Sequence, residues 1–316
     1  LSGQSSITLI KRTISLLLIV LFLVISFYWF DSYMLWKHTI ELFTEPKYLI
    51  IMTIFYTIAF FLRAFAWWLY LEKKPTFRVC ISGLFYSMFF NHILPFKVGD
   101  AVRIGALAKE KKVKFTKAVQ SVIVLRIIDV VILGIFAFIG FIVIAHILPF
   151  KSLLVAYVLL GMFIMVAIIL LKRKSTFISR FTSGMKKTLV SKNGIAIIGV
   201  IFLSWICEGV VIFTITKLFS EGLTPLSSIW LNSVSVISGL FQVTPGGIAT
   251  YETVMSIALV NLGFKMEDAY HLAILSHGYK FLYSFLVGFI AFILVPLKIR
   301  EIKQWIRNGV KGEESK

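Results

Sequence analysis

The sequence predicts an all-α integral membrane protein of about six transmembrane helices plus two re-entrant helical hairpins in an inverted repeat. Three observations carry that reading. Apolar runs of membrane-crossing length recur along the chain. Basic residues collect on one set of the segments that flank those runs. Two polar motifs containing Pro and Gly interrupt the apolar pattern at matching places in the two halves.

The apolar runs cover 14–30, 48–71, 119–145, 153–171, 194–216 and 269–297. Each approaches or exceeds the ~20 residues that cross a hydrocarbon core. Hydrophobic residues make up 59% of the 316 and charged residues only 15%, against about 25% in soluble domains. Residues 1–316 therefore read as a single membrane domain, with no soluble part large enough to act alone. The first run reads as a span and not as a cleaved signal peptide, because it is longer than a typical signal core and no small-residue cleavage site follows it. The two cysteines, Cys80 and Cys207, lie inside apolar segments. That placement argues against a disulfide framework or a thiolate metal site.

The net charge of +18 resembles a nucleic-acid signal until the charges are placed. The flanks 11–12, 72–78, 97–117, 172–192 and 298–316 together hold 25 basic and 6 acidic residues. The opposite flanks, 31–47, 146–151, 217–224 and 263–268, hold 5 basic and 6 acidic. The imbalance follows the positive-inside rule, which puts both termini on the cytoplasmic side of the cell membrane and leaves 298–316 as a short basic cytoplasmic tail. Basic residues that flank spans do not form one domain with interleaved aromatics, so nucleic acid is not an expected partner.

Charge placement also decides which apolar stretches cross. Flanks 73–78 and 97–117 are both cytoplasmic on this reading, so 79–94 must enter and leave on one side. Flanks 217–224 and 263–268 are both external, so 225–262 must dip in from outside. Non-helical backbone at that depth survives only where protein or a water-filled cavity satisfies it. The two hairpins look like halves of a repeat: Pro95 and Pro245 are 150 positions apart, and each is followed by small residues and an acid, Gly99-Asp100 and Tyr251-Glu252. Arg126-x-x-Asp129 aligns with His277-x-x-Lys280 at an offset of 151. The expected units are 48–145 and 194–297, with 153–171 reversing the sense between them. Inverted repeats with broken helices are a transporter pattern, with the site at the repeat interface.

Ionisable residues inside spans are the sharpest chemical signal, since each costs on the order of 2.5–3.5 kcal/mol at a helix centre unless it finds a partner or water. They are Arg63, Arg126, Asp129, Glu208, Glu252, His277 and Lys280. Arg126 and Asp129 share a helix face and can pair, so they are either a self-neutralising pair or part of a site. His277 and Lys280 have the same spacing and need an anion from elsewhere, either Glu252 or a lipid phosphate. Glu208 can pair with any of the cations. Arg63 lies late in its span and is expected to snorkel to the interface. The Gly-containing tips that open helices would offer free N–H groups to phosphate, or Pro and Gly simply turn the chain there. Trp67-Trp68 reads as an interfacial anchor. His271 and His277 are six apart, on different helix faces, so no metal is expected. No Walker loop, Gly-x-Ser-x-Gly elbow or dinucleotide fingerprint is present, and no cofactor is expected.

At Asn91…Leu94-Pro95…Gly99-Asp100…Arg103, Arg126…Asp129 and Pro245-Gly246-Gly247…Tyr251-Glu252, the chain resembles the lysylphosphatidylglycerol synthase transmembrane region, a flippase-like membrane family. It departs from the commonest form at Gly99-Asp100, where Gly-Glu is usual. In the multiple peptide resistance factor this region is the flippase half, followed by a soluble domain that transfers lysine to phosphatidylglycerol. The chain ends at residue 316, so that synthase is expected to be absent. The resemblance implies a translocator of an anionic phospholipid, an aminoacylated phospholipid or a polyprenyl-linked glycolipid in a bacterial or archaeal cytoplasmic membrane. Arg103, Arg126, His277, Lys280 and the hairpin N–H groups would hold the phosphate. Asp100 and Glu252 would hold a cationic or hydroxylated headgroup part, or exchange protons. Asn91, Pro95, Gly99, Asp129, Glu208, Pro245, Gly246, Gly247 and Tyr251 complete the expected headgroup site. A homo-oligomer or a partner headgroup-modifying enzyme fits the same reading. The alternatives are a lipid headgroup transferase with Glu252 or His277 as general base, or a non-transporting subunit of an envelope assembly.

Overall fold

A computed structural model describes residues 31–94, 97–108, 113–144, 190–219, 222–239 and 244–297, with isolated positions 20, 110 and 186. The expected spans 14–30 and 153–171, Pro95 and the tail 298–316 lie outside the described residues. Among the described residues every regular element is helical.

The helices are α1 (Ser32–Thr44), α2 (Pro46–Tyr70), α3 (Phe77–Ile93), α4 (Val98–Ala108), α5 (Phe115–Ile144), α6 (Lys192–Phe219), α7 (Pro225–Ser238), α8 (Thr250–Asn261) and α9 (Met266–Leu294). A 3-10 turn, Pro245–Gly247, precedes α8. Starts follow local chemistry. Asp31 caps α1 by accepting from the backbone N–H of Tyr33 and Met34. Thr224 caps α7 by accepting from Ser227 N–H, and Pro225 follows at the first turn, where its missing N–H costs nothing. The sequence read 31–47 only as a polar flank; Asp31 was the available sign that a helix begins there.

Among the described residues, four helices are long and apolar enough to cross a membrane: Pro46–Tyr70, Phe115–Val143, Asn193–Phe219 and Met266–Leu294. Their outward faces carry large apolar side chains, such as Leu282, Leu286, Phe289 and Ile293 on α9, spaced as one stripe of a helix. In water such a surface would be an aggregation liability; in hydrocarbon it is the ordinary exterior.

The other helices of the two pairs, α3, α4, α7 and α8, have 17, 11, 14 and 12 residues. They are at or below the shortest crossing length of about 17. They form two packed pairs, α3 with α4 and α7 with α8. The stretch 79–94, expected to enter and leave by itself, is the single helix α3, and its partner α4 comes from 97–117, read from the charges as a flank. Each pair leans on the long helices of the other half: α3 lies against α9, and α7 against α5, while α2 and α6 pack along each other at the centre. Two glycines allow these crossings. A Cβ at Gly288 would meet the Phe89 side chain at 2.5 Å, and one at Gly140 would meet Trp230 at the same distance. Trp67 corrects an expectation, because it is fully buried and donates from Nε1 to Ser121 Oγ at 2.8 Å. Trp68 is the half-exposed member of that dipeptide, donating to the Pro75 carbonyl at 2.9 Å with Lys73 Nζ 5.3 Å from its ring centre.

Candidate functional site

The two short pairs and the long helices converge on a cavity of about 190 Å³. Five cationic side chains line it, Arg63, Lys97, Arg103, Arg126 and Lys280, against two carboxylates, Asp129 and Glu208. Apolar and aromatic groups such as Tyr56, Phe60, Leu84 and Trp205 complete the wall. Charges in such surroundings persist only when paired and hydrogen-bonded, so their partners decide what the cavity can bind.

The first network joins α3, α4, α5 and α6. Asp100 opens α4 and receives Arg126 twice, Nε to Oδ2 at 3.1 Å and Nη2 to Oδ1 at 2.9 Å. Ser87 Oγ donates to the same carboxylate at 2.7 Å. Asn91 Oδ1 accepts from Gly99 N–H at 2.9 Å and so fastens the start of α4 to α3. A side chain at Gly99 would overlap the Ser87 carbonyl and Asn91 Oδ1, so only Gly permits this approach. Asp129 lies 3.8 Å from Arg126 Nη1 and receives Trp205 Nε1 at 3.0 Å. The i, i+3 pair read from the sequence is therefore the weaker contact, and Arg126 is held mainly by an acid from another helix.

The second network joins α2, α6, α7 and α9. Glu208 takes Arg63 Nη2 at 2.7 Å on one oxygen and Lys280 Nζ at 3.0 Å on the other. Lys280 also donates to Asn232 Oδ1 at 2.8 Å, and Arg63 Nε to Ser204 Oγ at 3.2 Å, with its guanidinium 3.8 Å from the Trp205 ring centre. Arg63 therefore does not snorkel. A buried carboxylate facing it offers more than the interface could, and the indole face adds a cation–π contact.

The third network ties α8 to α9. His277 Nδ1 lies 2.7 Å from Glu252 Oε1, while Glu252 Oε2 accepts from Ala249 N–H at 2.8 Å. Tyr251 stacks on His277 with ring centres 4.2 Å apart and reaches Ser276 Oγ at 3.1 Å. Pro245, Gly246 and Gly247 form the turn before α8; Gly246 and Gly247 have φ of +67° and +80°, and a Cβ at Gly246 would overlap the Phe281 ring. The free N–H groups expected at this tip are not free. Gly247 N–H bonds to Thr244 O, Ile248 N–H to Pro245 O, and Ala249 N–H to Glu252. The tight turn satisfies its own donors, so these three are not available to a phosphate.

Arg103 differs from the other cations. It is 3% exposed, its guanidinium sits 3.9 Å from the Trp67 ring centre, and its Nε is buried without a hydrogen-bond partner. Among the described residues it forms no salt bridge. No group of three or more metal-ligating side chains occurs among the described residues.

The model of the lysylphosphatidylglycerol synthase transmembrane region matches residues 9–288 of the chain. The chain belongs to that family. It is also similar to UPF0104 membrane protein MJ1595 of Methanocaldococcus jannaschii, 22% identical over 302 residues that cover 82% of this chain and 88% of that protein. No solved structure matches.

In this member of the lysylphosphatidylglycerol synthase transmembrane family, the site residues named from sequence fall into the three networks and Arg103, except Pro95, which lies outside the described residues. Sequence reasoning missed Lys97, His92, Ser87, Trp205 and Asn232, all of which line the cavity or bond to a residue that does. It also left Arg63 out of the site. For Arg63 the signal was available, since a cation and Glu208 both stood in spans. Lys97 was masked by its place in a flank tallied as cytoplasmic.

Proposed function

We propose that the protein is a lipid translocator. It moves the headgroup of an anionic phospholipid, an aminoacylated phospholipid or a polyprenyl-linked glycolipid across the cytoplasmic membrane of a bacterium or archaeon. The observation that carries this reading is the surplus of cations around the cavity, with Arg103 buried and its Nε unpartnered. A buried guanidinium in no salt bridge among the described residues is complementary to a phosphate, which accepts its planar fork. The barrier to lipid translocation is the dehydration of a charged headgroup in hydrocarbon. Fixed polar groups inside a membrane-embedded cavity offset that cost while the tails stay in the bilayer.

On this reading α3–α4, which extends the stretch 79–94 into the flank that follows it, and α7–α8 are the two re-entrant hairpins, and the chain completes about six spans with both termini in the cytoplasm. The halves 48–145 and 194–297 are related as an inverted repeat. Support comes from matching contacts: Asp100 with Arg126, 26 positions apart, and Glu252 with His277, 25 apart, each join the second helix of a short pair to the long helix that follows. A headgroup in the cavity would have Arg103 and Lys97 as phosphate partners, with Asp129 in the same wall for a cationic or hydroxylated part.

The test is reconstitution into vesicles with a fluorescent anionic lipid or lipid-linked sugar. The protein should accelerate exchange between leaflets, and Arg126→Ala and Glu252→Gln should slow it. Equal rates for wild type and both variants would overturn the proposal. A second reading, a headgroup transferase, is favoured by one contact, the His277–Glu252 pair at the cavity wall, which has the form of a general base and its orienting acid. Lipid analysis separates the two: a new lipid species supports the transferase, and an altered leaflet distribution supports the translocator.

A further inference from the structure

A second depression lies outside the headgroup cavity, on the lipid-facing side of α2, α6 and α7. Its volume is about 360 Å³. Tyr48, Ile51 and Phe55 of α2 form one wall, Ile206, Val210 and Phe213 of α6 the other, and Ile229 of α7 closes the side. Gly209 shapes the floor: a Cβ there would meet Ile229 Cγ1 at 2.9 Å, so the missing side chain lets α7 settle against α6 and leaves a channel beside the seam. Lys217 stands at one end, exposed, with its Nζ 5.7 Å from the Phe213 ring centre.

The dimensions and the ends identify what the groove fits. From Ile206 to Lys217 the α6 wall rises roughly 16 Å at 1.5 Å per residue. That is about half of a ~30 Å hydrocarbon core, the depth of one leaflet. The Lys217 end is the membrane-surface end, since α6 finishes there at Phe219 while α2 begins at Pro46 and α7 at Pro225. Helix α1, which ends just before α2, marks the same level. Tyr33, Trp36, Ile40 and Phe43 form an exposed stripe along it, the pattern of a helix lying in the interface. The other cation near the mouth, Lys47, is already paired with Glu45 at 2.9 Å. Lys217 forms no salt bridge among the described residues.

We propose that this groove is a binding site for an anionic phospholipid, with one acyl chain lying along α6 from Phe213 to Ile206 and the phosphate at Lys217. It is separate from the translocation cavity, and the proposal stands whether or not the protein moves lipid. A groove one leaflet deep, apolar along its length and cationic at the surface end, holds a lipid chain and selects its headgroup by charge.

The test uses the full chain in vesicles that contain phosphatidylglycerol bearing a photoreactive group at mid-chain. Labelling should concentrate on residues 206–217 and 48–55. Native mass spectrometry in mild detergent should show phosphatidylglycerol retained about five-fold over phosphatidylcholine of the same chains, the ratio set by the roughly 1 kcal/mol of one Lys near an anionic surface. Lys217→Ala should abolish that preference, and Val210→Trp, which fills the groove, should reduce retention of both lipids. Labelling spread evenly over other lipid-facing helices, including Leu282, Leu286 and Phe289 of α9, would overturn the proposal, as would equal retention of the two lipids by the wild-type protein.

Discussion

Asp100 grips Arg126 through two hydrogen bonds, at 3.1 and 2.9 Å, although Asp129 stands one helical turn from the same arginine. The preference has a geometric origin. An i, i+3 neighbour on one helix reaches only one guanidinium nitrogen at 3.8 Å, whereas a carboxylate on a facing helix meets the fork squarely. Asp100→Asn should therefore lower stability in detergent by about 1.5–3 kcal/mol, the range for a charged hydrogen bond, while Asp129→Asn costs less. Thermal unfolding of the two variants side by side checks the order.

Glu208 is the shared anion of Arg63 and Lys280, and all three side chains are 12% exposed or less. Glu208→Gln would strand two buried cations and should destabilise the protein by about 3–5 kcal/mol. Lys280→Met should cost less, because Arg63 still neutralises Glu208. If the two variants melted at the same temperature, Glu208 would not be the keystone of this network.

Arg103 should behave in the opposite way. It forms no salt bridge among the described residues, and the nearby Asp100 and Asp129 keep Arg126, so its replacement by Met removes a buried charge and leaves no carboxylate stranded. Stability should stay level or rise slightly. On the proposed function, lipid exchange in vesicles should nevertheless fall at least ten-fold, about 1.4 kcal/mol of lost headgroup binding. A stable Arg103→Met protein with wild-type exchange would remove this residue from the site.

Ala249 carries φ 77° and ψ −44°, close to the strained γ-turn region, and its N–H is held by Glu252. Side chains cost roughly 1–2 kcal/mol at such positive φ. Ala249→Gly should raise the melting temperature and Ala249→Val should lower it, and the pair is read in one unfolding experiment. Backbone strain of this kind gathers at functional sites, here beside the Glu252–His277 contact.

Gly246 faces Phe281 so closely that a Cβ would enter the ring. Gly246→Ala should cost at least the ~1–3 kcal/mol of an overpacked core. Adding Phe281→Leu should recover part of that loss, which a double-mutant cycle measures directly; no recovery would mean that the positive φ alone demands glycine.

Much of the architecture was legible beforehand. Run lengths located the four described spans, and charge set 79–94 and 225–262 apart from them, but 79–94 is one helix, α3, and not a hairpin, and its partner α4 lies within 97–117, which the charges had assigned to a flank. Periodicity and charge placement report on which residues meet lipid and which meet water, and these are local properties. Trp67 and Arg63 show the limit. Both were assigned to the interface from their positions near a span end, and both turn inward to Ser121 and Glu208, partners 54 and 145 positions away.

Composition and run length alone established a helical membrane protein, the course of its four described long helices, and which ionisable residues must find partners inside it. The pairing came from the tertiary structure: Arg126 with Asp100, Arg63 and Lys280 with Glu208, His277 with Glu252, and Arg103 in no salt bridge among the described residues, its Nε unpartnered. A buried charge requires a partner whatever its neighbours in sequence, but which partner it receives depends on how helices cross, and no local pattern encodes a crossing.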